Sequence, residues 1–174
     1  MTSGQKPTRP IHVLVLCTGN SARSILGEAL FNHLGSQRKA GRVRAFSAGS
    51  RPAGTVNPVA LETLQRHGIP LPEARSKSWD EFAAPGAPHI DYIFTVCASA
   101  AGEACPIWPG HPTTAHWGIA DPAHVEPLAA RREAFEVAYR QLEQRIVAFL
   151  AMDLENMSPA DIKMAAKTIH EASA

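Results

Sequence analysis

The sequence predicts an α/β protein built on a small doubly wound parallel sheet, and three observations carry that prediction. Short apolar, β-branched runs of strand length alternate with longer stretches of helical periodicity. The first run, Ile11-His12-Val13-Leu14-Val15-Leu16, is apolar nearly throughout, as a strand buried on both faces must be. Cys17, Cys97 and Asp121 fall just beyond the first, third and fourth runs. In doubly wound sheets that edge is where ligands sit, so three chemically capable residues converge there.

Met1 to Pro10 is polar and reads as a loose tail, and residues 11–174 read as a single domain. The first strand is Ile11 to Leu16, and the first helix runs from Ser24 to about Leu34, ending near Gly35. Arg38, Lys39, Arg42 and Arg44 follow as a solvated basic loop. Val43 to Ser47 is the second strand, closed by Ala48-Gly49. Asn57-Pro58 starts a helix with Asn as N-cap and Pro in the first helical position. It reaches Arg66 or His67 and stops at Gly68. Pro70 and Pro72 mark a loop, and Ser78 to Phe82 has room for a helical turn. The third strand, Ile90 to Val96, ends at Cys97. A small, Ala-rich stretch from Ala98 to Ala104 then precedes a proline-rich loop that opens at Cys105-Pro106. Thr114 to Trp117 is a short fourth strand. From about Pro127 to Met152 the period is helical, with Phe135, Tyr139, Leu142, Ile146 and Phe149 on one face. Ser158-Pro159 starts an extra C-terminal helix, about 158–171, with Ile162, Ala165, Ala166 and Ile169 on one stripe.

Hydrophobic residues make up 45% of the 174, enough for a core. A net charge of +1 offers no polyanion-binding surface, so no nucleic-acid partner is expected. No stretch approaches the length of a membrane span, and the polar start carries no leader-like pattern. The expected compartment is the cytoplasm. Three cysteines in a reducing compartment point to chemistry more than to structural disulfides.

The chemistry centres on Cys17-Thr18-Gly19-Asn20-Ser21-Ala22-Arg23-Ser24, a strand-to-helix turn. Such a turn aims backbone N–H groups and a positive helix end at one point. A cysteine there is expected to have a depressed pKa, and Arg23 can bring a planar fork of donors over the same point. The loop, residues Thr18, Gly19, Asn20, Ser21, Ala22, Arg23 and Ser24, is thus a candidate oxyanion cradle with the Cys17 sulfur at its floor. Ser24 is a candidate donor to that sulfur or a cap of the helix. A cysteine ending a strand is often simply buried; here the flanking strand, helix and Gly19-Asn20 turn favour the cradle.

This loop resembles that of the low-molecular-weight tyrosine phosphatase fold family. Within it the chain is similar to the arsenate reductases, whose loop reads close to CTGNSCRS. The similarity runs from about Ile11 to Leu150. Ala22 departs from it, standing where many of those reductases carry a cysteine that the chemistry does not need. The resemblance implies a four-stranded sheet in the order 2-1-3-4. It also implies a general acid at Asp121, which sits in a matching Asp-Pro. Cys17, Cys97 and Cys105 would then form a relay: attack on arsenic, attack on the first sulfur to release arsenite, and a final disulfide presented to an external reductant. That reductant is expected to be a thiol protein. Thioredoxin is favoured, because Cys97 and Cys105 can pair internally, and glutaredoxin with glutathione is the alternative. No tightly bound cofactor is expected. In the family a potassium ion can brace the loop, and Asn20, Glu28, Ser47 and Asp80 align with its ligands.

The alternative enzyme is a phosphatase that hydrolyses phosphate monoesters through a Cys17 phosphoenzyme, for which one cysteine suffices. The family's phosphatases place aromatics after the Asp-Pro, whereas Ala123 and His124 follow here. A more distant reading is a metal-binding or sensor module on Cys105, His111 and His116, whose spacing fits no common zinc pattern. Finally, a helix across 98–104 would hold Cys97 and Cys105 about 12 Å apart, beyond the roughly 7 Å that a disulfide tolerates. Closing that bond is therefore expected to unwind the segment.

Overall fold

A computed structural model of the chain describes residues 9–39, 42–71, 73–97, 108 and 110–173. Cys105 and the expected 98–104 helix lie outside the described residues. So does most of the N-terminal tail.

Four strands, β1 (Ile11–Cys17), β2 (Val43–Gly49), β3 (Tyr92–Thr95) and β4 (Thr113–His116), form one sheet in the order β2-β1-β3-β4. Every pairing is parallel. Among the described residues the helices are α1 (Arg23–Arg38), α2 (Pro58–Arg66), α3 (Asp80–Ala83), α4 (Leu128–Leu150) and α5 (Pro159–Ala172). None of these is long and apolar enough to cross a membrane.

The apolar run of β1 is explained by its two buried faces. Val13, Val15 and Cys17 join the larger core with residues of α1, α2, α4 and α5, while Leu14 and Leu16 join a smaller core with Trp79, Phe82 and Ile90. All five residues of the predicted α4 face are buried, and Ile162 and Ala166 bury the stripe of α5. Side chains cap two helices as the sequence suggests: Asn57 accepts from the Val59 N–H and Ser158 from the Asp161 N–H. Gly68, just past α2, has φ +66°, a conformation that favours glycine.

Two boundaries differ from expectation for physical reasons. Gly35 does not stop α1, which continues to Arg38. A Cβ at Gly35 would lie 2.5 Å from Val43 Cβ, so this glycine lets the helix approach β2. The helix also begins one residue early, at Arg23, with Ala22 at the cap. Ser24 is therefore inside the first turn and caps nothing.

The carboxyl ends of the strands are stitched together beyond the ladder itself. Val96 N–H donates to Leu16 O at 2.9 Å, Trp117 N–H to Thr95 O at 2.7 Å, and Ile119 N–H to Val96 O at 3.0 Å. These bonds bring Cys17, Cys97 and the segment leading to Asp121 to one edge.

Candidate active site

The 17–24 loop is held by its carbonyls from outside. Thr18 O accepts from Arg51 N–H at 2.9 Å, Gly19 O from Ala53 N–H at 2.9 Å, Ser21 O from Asn57 N–H at 2.9 Å, and Ala22 O from Leu26 N–H at 3.1 Å. Ser76 Oγ adds a bond to Gly19 O at 3.1 Å. Carbonyls engaged outside are what an anion-binding nest of inward N–H groups requires. Asn20 takes the left-handed turn that the loop needs, at φ 42°. It is fully buried, its Nδ2 donating to Ser24 Oγ at 2.9 Å and its Oδ1 accepting from Lys77 N–H at 2.9 Å. Ser24 thus accepts from Asn20 and keeps its own proton to donate. Gly49 backs the loop so closely that a Cβ there would lie 2.3 Å from Thr18 O.

Arg23 lies across the site. Its Nη1 donates to Ile119 O at 3.0 Å, and its Nη2 is 3.6 Å from Asp121 Oδ2. Its Nε is buried and donates to no described residue, so part of its planar fork of donors is open to a ligand. Asp121 is exposed, and its Oδ1 accepts from Ala123 N–H at 2.9 Å. Charge and donors from Arg23, a carboxyl and a sulfur therefore share one mouth.

Cys17 and Cys97 are both buried, and their thiols lie within hydrogen-bonding reach of each other. Thr18 Oγ1 is 3.6 Å from Cys97 Sγ. The expected depression of the Cys17 pKa does not hold in this arrangement. The Cys97 thiol raises it most and burial adds to the rise, while Arg23 and the Gly19 N–H pull the other way. The net direction is up. Two thiols in contact titrate as a pair, and a second negative charge beside the first is strongly disfavoured.

The potassium ligand set does not assemble as expected. Asn20, within the loop, and Glu28 and Ser47 are buried, but Asp80 is exposed on the first turn of α3, outside this buried set. Lys77 is buried instead, with Nζ 3.8 Å from Glu28 Oε1 and donating to Arg75 O at 3.1 Å. Burial raises the Glu28 pKa against the pull of Lys77 and Ser47, and burial lowers that of Lys77 against the pull of Glu28. Ser47 Oγ is near enough to help hold down the Glu28 pKa, yet forms no hydrogen bond of normal geometry among the described residues. A tethered ammonium already faces Glu28, the buried carboxylate of the set. The residues present do not fit a potassium ion.

The metal-module reading gains no support from the described residues. His116 Nδ1 is 2.8 Å from Thr95 Oγ1, and His111 sits exposed in a turn. Among the described residues no group of three His, Cys, Asp or Glu could hold a metal. Sequence reasoning missed Lys77, the close approach at Gly49 and the Ile119 carbonyl that aims Arg23. Lys77 stands in a polar Arg-Ser-Lys-Ser run that gives no sign of burial.

A family model described as low molecular weight phosphotyrosine protein phosphatase matches residues 12–159. The chain is 34% identical over 139 residues to an arsenate reductase of Bacillus licheniformis, covering 79% of this chain and 93% of that one. Among solved structures it is similar to the thioredoxin-dependent arsenate reductase of Corynebacterium glutamicum. That likeness has 26% identity and a TM-score of 0.55, and covers 83% of this chain and 65% of that one. It is also similar to an arsenate reductase of Archaeoglobus fulgidus, at 25% identity and a TM-score of 0.57, over 78% and 98% of the two chains.

Proposed function

Because the chain belongs to the low-molecular-weight phosphotyrosine protein phosphatase family, we propose that its Cys17 loop is turned to redox work, the reduction of arsenate to arsenite. The observation that carries this reading is the Cys97 thiol within hydrogen-bonding reach of Cys17. Hydrolysis of an ester has no use for a second thiol there; reduction requires one.

The loop N–H groups and the Arg23 fork bind the tetrahedral oxyanion. The Cys17 sulfur attacks arsenic, its thiol proton passing to an arsenate oxygen, and an arsenic–oxygen bond breaks. Asp121 supplies the proton with which that oxygen leaves as water. Cys97 then attacks the Cys17 sulfur and gives its thiol proton to an oxygen of the departing arsenic group. A sulfur–sulfur bond forms as the sulfur–arsenic bond breaks, and its electron pair stays on arsenic, which leaves as arsenite. Cys105 attacks Cys97 in turn, which frees Cys17 as a thiol. An external dithiol, thioredoxin in this reading, reduces the Cys97–Cys105 disulfide by the same exchange. The relatives named as arsenate reductases support the substrate, and the Corynebacterium neighbour named as thioredoxin-dependent supports the reductant. Ala123 and the exposed His124 offer no aromatic wall for a phosphotyrosine ring.

The test is arsenate turnover with thioredoxin against turnover with glutathione and glutaredoxin, with p-nitrophenyl phosphate hydrolysis measured alongside. Arsenite formation coupled to thioredoxin is the expected result. Ester hydrolysis with no arsenate reduction under either system would make the protein a phosphatase.

A further inference from the structure

The family match ends at residue 159, where α5 begins. This added helix reaches the active site through one buried side chain, Arg145 on α4. Arg145 is 2% exposed. Its Nε donates to Ser173 Oγ at 2.7 Å, just past the end of α5. Its Nη1 donates to Trp117 O at 3.0 Å and to Gly118 O at 3.3 Å. The fully buried Trp117 donates its indole N–H to Ala166 O, inside α5, at 2.9 Å. Residues 117 and 118 are thus fastened from behind by α4 and α5 together.

The next residue is Ile119. Its carbonyl accepts from Arg23 Nη1, and Asp121, two residues further on, faces Arg23 Nη2. One short backbone segment therefore touches Arg145 on one side and the oxyanion-gripping Arg23 on the other. We propose that Arg145, locked in place by α5, is a positioning residue that sets the direction of the Arg23 fork by fixing residues 117–119.

The choice of residue supports this. Among the described residues no carboxylate pairs with Arg145, and burial draws its pKa down. A buried charge without a counter-charge is costly, and an apolar side chain of similar volume would tie α5 to the core at lower cost. What an arginine adds is a rigid plane of donors that can hold several carbonyls at fixed angles. Those carbonyls belong to the segment that aims Arg23. An error in that aim matters, because a misplacement of about 1 Å at a reacting centre costs roughly a hundredfold in rate.

The inference rests on Arg23 being the oxyanion clamp, and one experiment separates the two ideas. Inorganic phosphate is used as a competitive inhibitor of p-nitrophenyl phosphate hydrolysis by the full chain, and thermal midpoints are recorded for each variant. Inhibition of the wild type tests the clamp; an uninhibited wild type overturns both ideas. Arg145→Met is expected to raise the phosphate inhibition constant about tenfold at temperatures well below its midpoint. Arg145→Lys, which keeps a donor, should recover part of that loss. Trp117→Phe keeps an aromatic ring at the position but loses the indole N–H bond to α5 together with part of the ring's bulk. It should raise the constant about threefold, and it carries the test together with Arg145→Lys should the Met variant not fold. Unchanged phosphate inhibition in folded variants overturns the proposal, leaving Arg145 a fastener of α5 alone. So does a change that merely tracks the thermal midpoint with no recovery by lysine.

Discussion

Replacing Gly49 by alanine should cripple the site without touching a functional group. A Cβ at this position would lie 2.3 Å from Thr18 O, 2.8 Å from Cys17 O and 2.9 Å from Asn20 N, all backbone atoms of the loop. Contacts below 3.0 Å essentially do not occur for real Cβ atoms. Something must therefore move by about 0.7 Å or more to relieve the closest of the three. Gly49 itself is pinned, its N–H donating to Lys77 O at 2.9 Å and its carbonyl accepting from Trp79 N–H at 2.9 Å. The loop is what gives way, and with it the N–H groups that line the cradle. Displacement on this scale predicts a loss in kcat/KM of roughly 30- to 100-fold, or about 2 to 3 kcal/mol of transition-state stabilisation. Overpacking should also cost about 1–3 kcal/mol of folding stability. The assay is kcat/KM for p-nitrophenyl phosphate and for arsenate, measured on protein whose folded fraction is fixed by circular dichroism. Both activities should fall by the same factor, since both use one loop. A folded Gly49→Ala protein within about threefold of wild type on both substrates would refute this view of the loop as a cradle whose geometry Gly49 sets.

Other substitutions divide the reaction into its parts. Cys17→Ser should abolish arsenate reduction and ester hydrolysis together, because the hydroxyl is a far weaker nucleophile; either activity surviving removes Cys17 from its role. Cys97→Ser should end arsenite formation and leave hydrolysis standing, and a parallel loss of both would make Cys97 structural. Asp121→Asn should slow attack by a factor on the order of 100 to 10,000 while phosphate inhibition stays nearly constant; an unchanged rate at neutral pH moves the acid elsewhere, with His124 nearest to hand. Potassium and sodium chloride should give the same thermal midpoint, and Lys77→Met should lower it by stripping the buried Glu28 of its cation, at a cost of about 3–5 kcal/mol. A rise in the wild-type midpoint specific to potassium would restore the ion to the site.

The fold was legible because its signals are local. The unbroken apolar run of β1, the Asn57-Pro58 and Ser158-Pro159 starts and the face from Phe135 to Phe149 each report a physical requirement that a single segment must meet. The turn that carries the cradle reading was legible for the same reason: Cys17 to Ser24 is one continuous strand-to-helix segment. What escaped lies in contacts between segments. Nothing around Lys77 says that its ammonium will face Glu28, since burial of a lysine depends on a partner 49 positions away in the chain. Gly35 reads as a helix stop until Val43 is seen packed against it. The rise in the Cys17 pKa is of the same kind, because strand β1 alone promises a thiolate and only the segment after β3 brings a second thiol beside it.

The outward-turned carbonyls of the loop have one more consequence. A mouth whose grip comes from loop N–H groups and the Arg23 fork measures charge and tetrahedral shape, and phosphate and arsenate present nearly the same of each. Affinity at the mouth therefore offers little means of telling the scarce toxic ion from the abundant nutrient. Selection must come after entry, at the sulfur. A phosphorus adduct on Cys17 gains nothing from a neighbouring thiol and is returned by water, whereas an arsenic adduct can accept two electrons and leave changed. In this reading, sorting is done by commitment rather than by recognition, and phosphate is a visitor that occupies the enzyme without being processed by its second thiol.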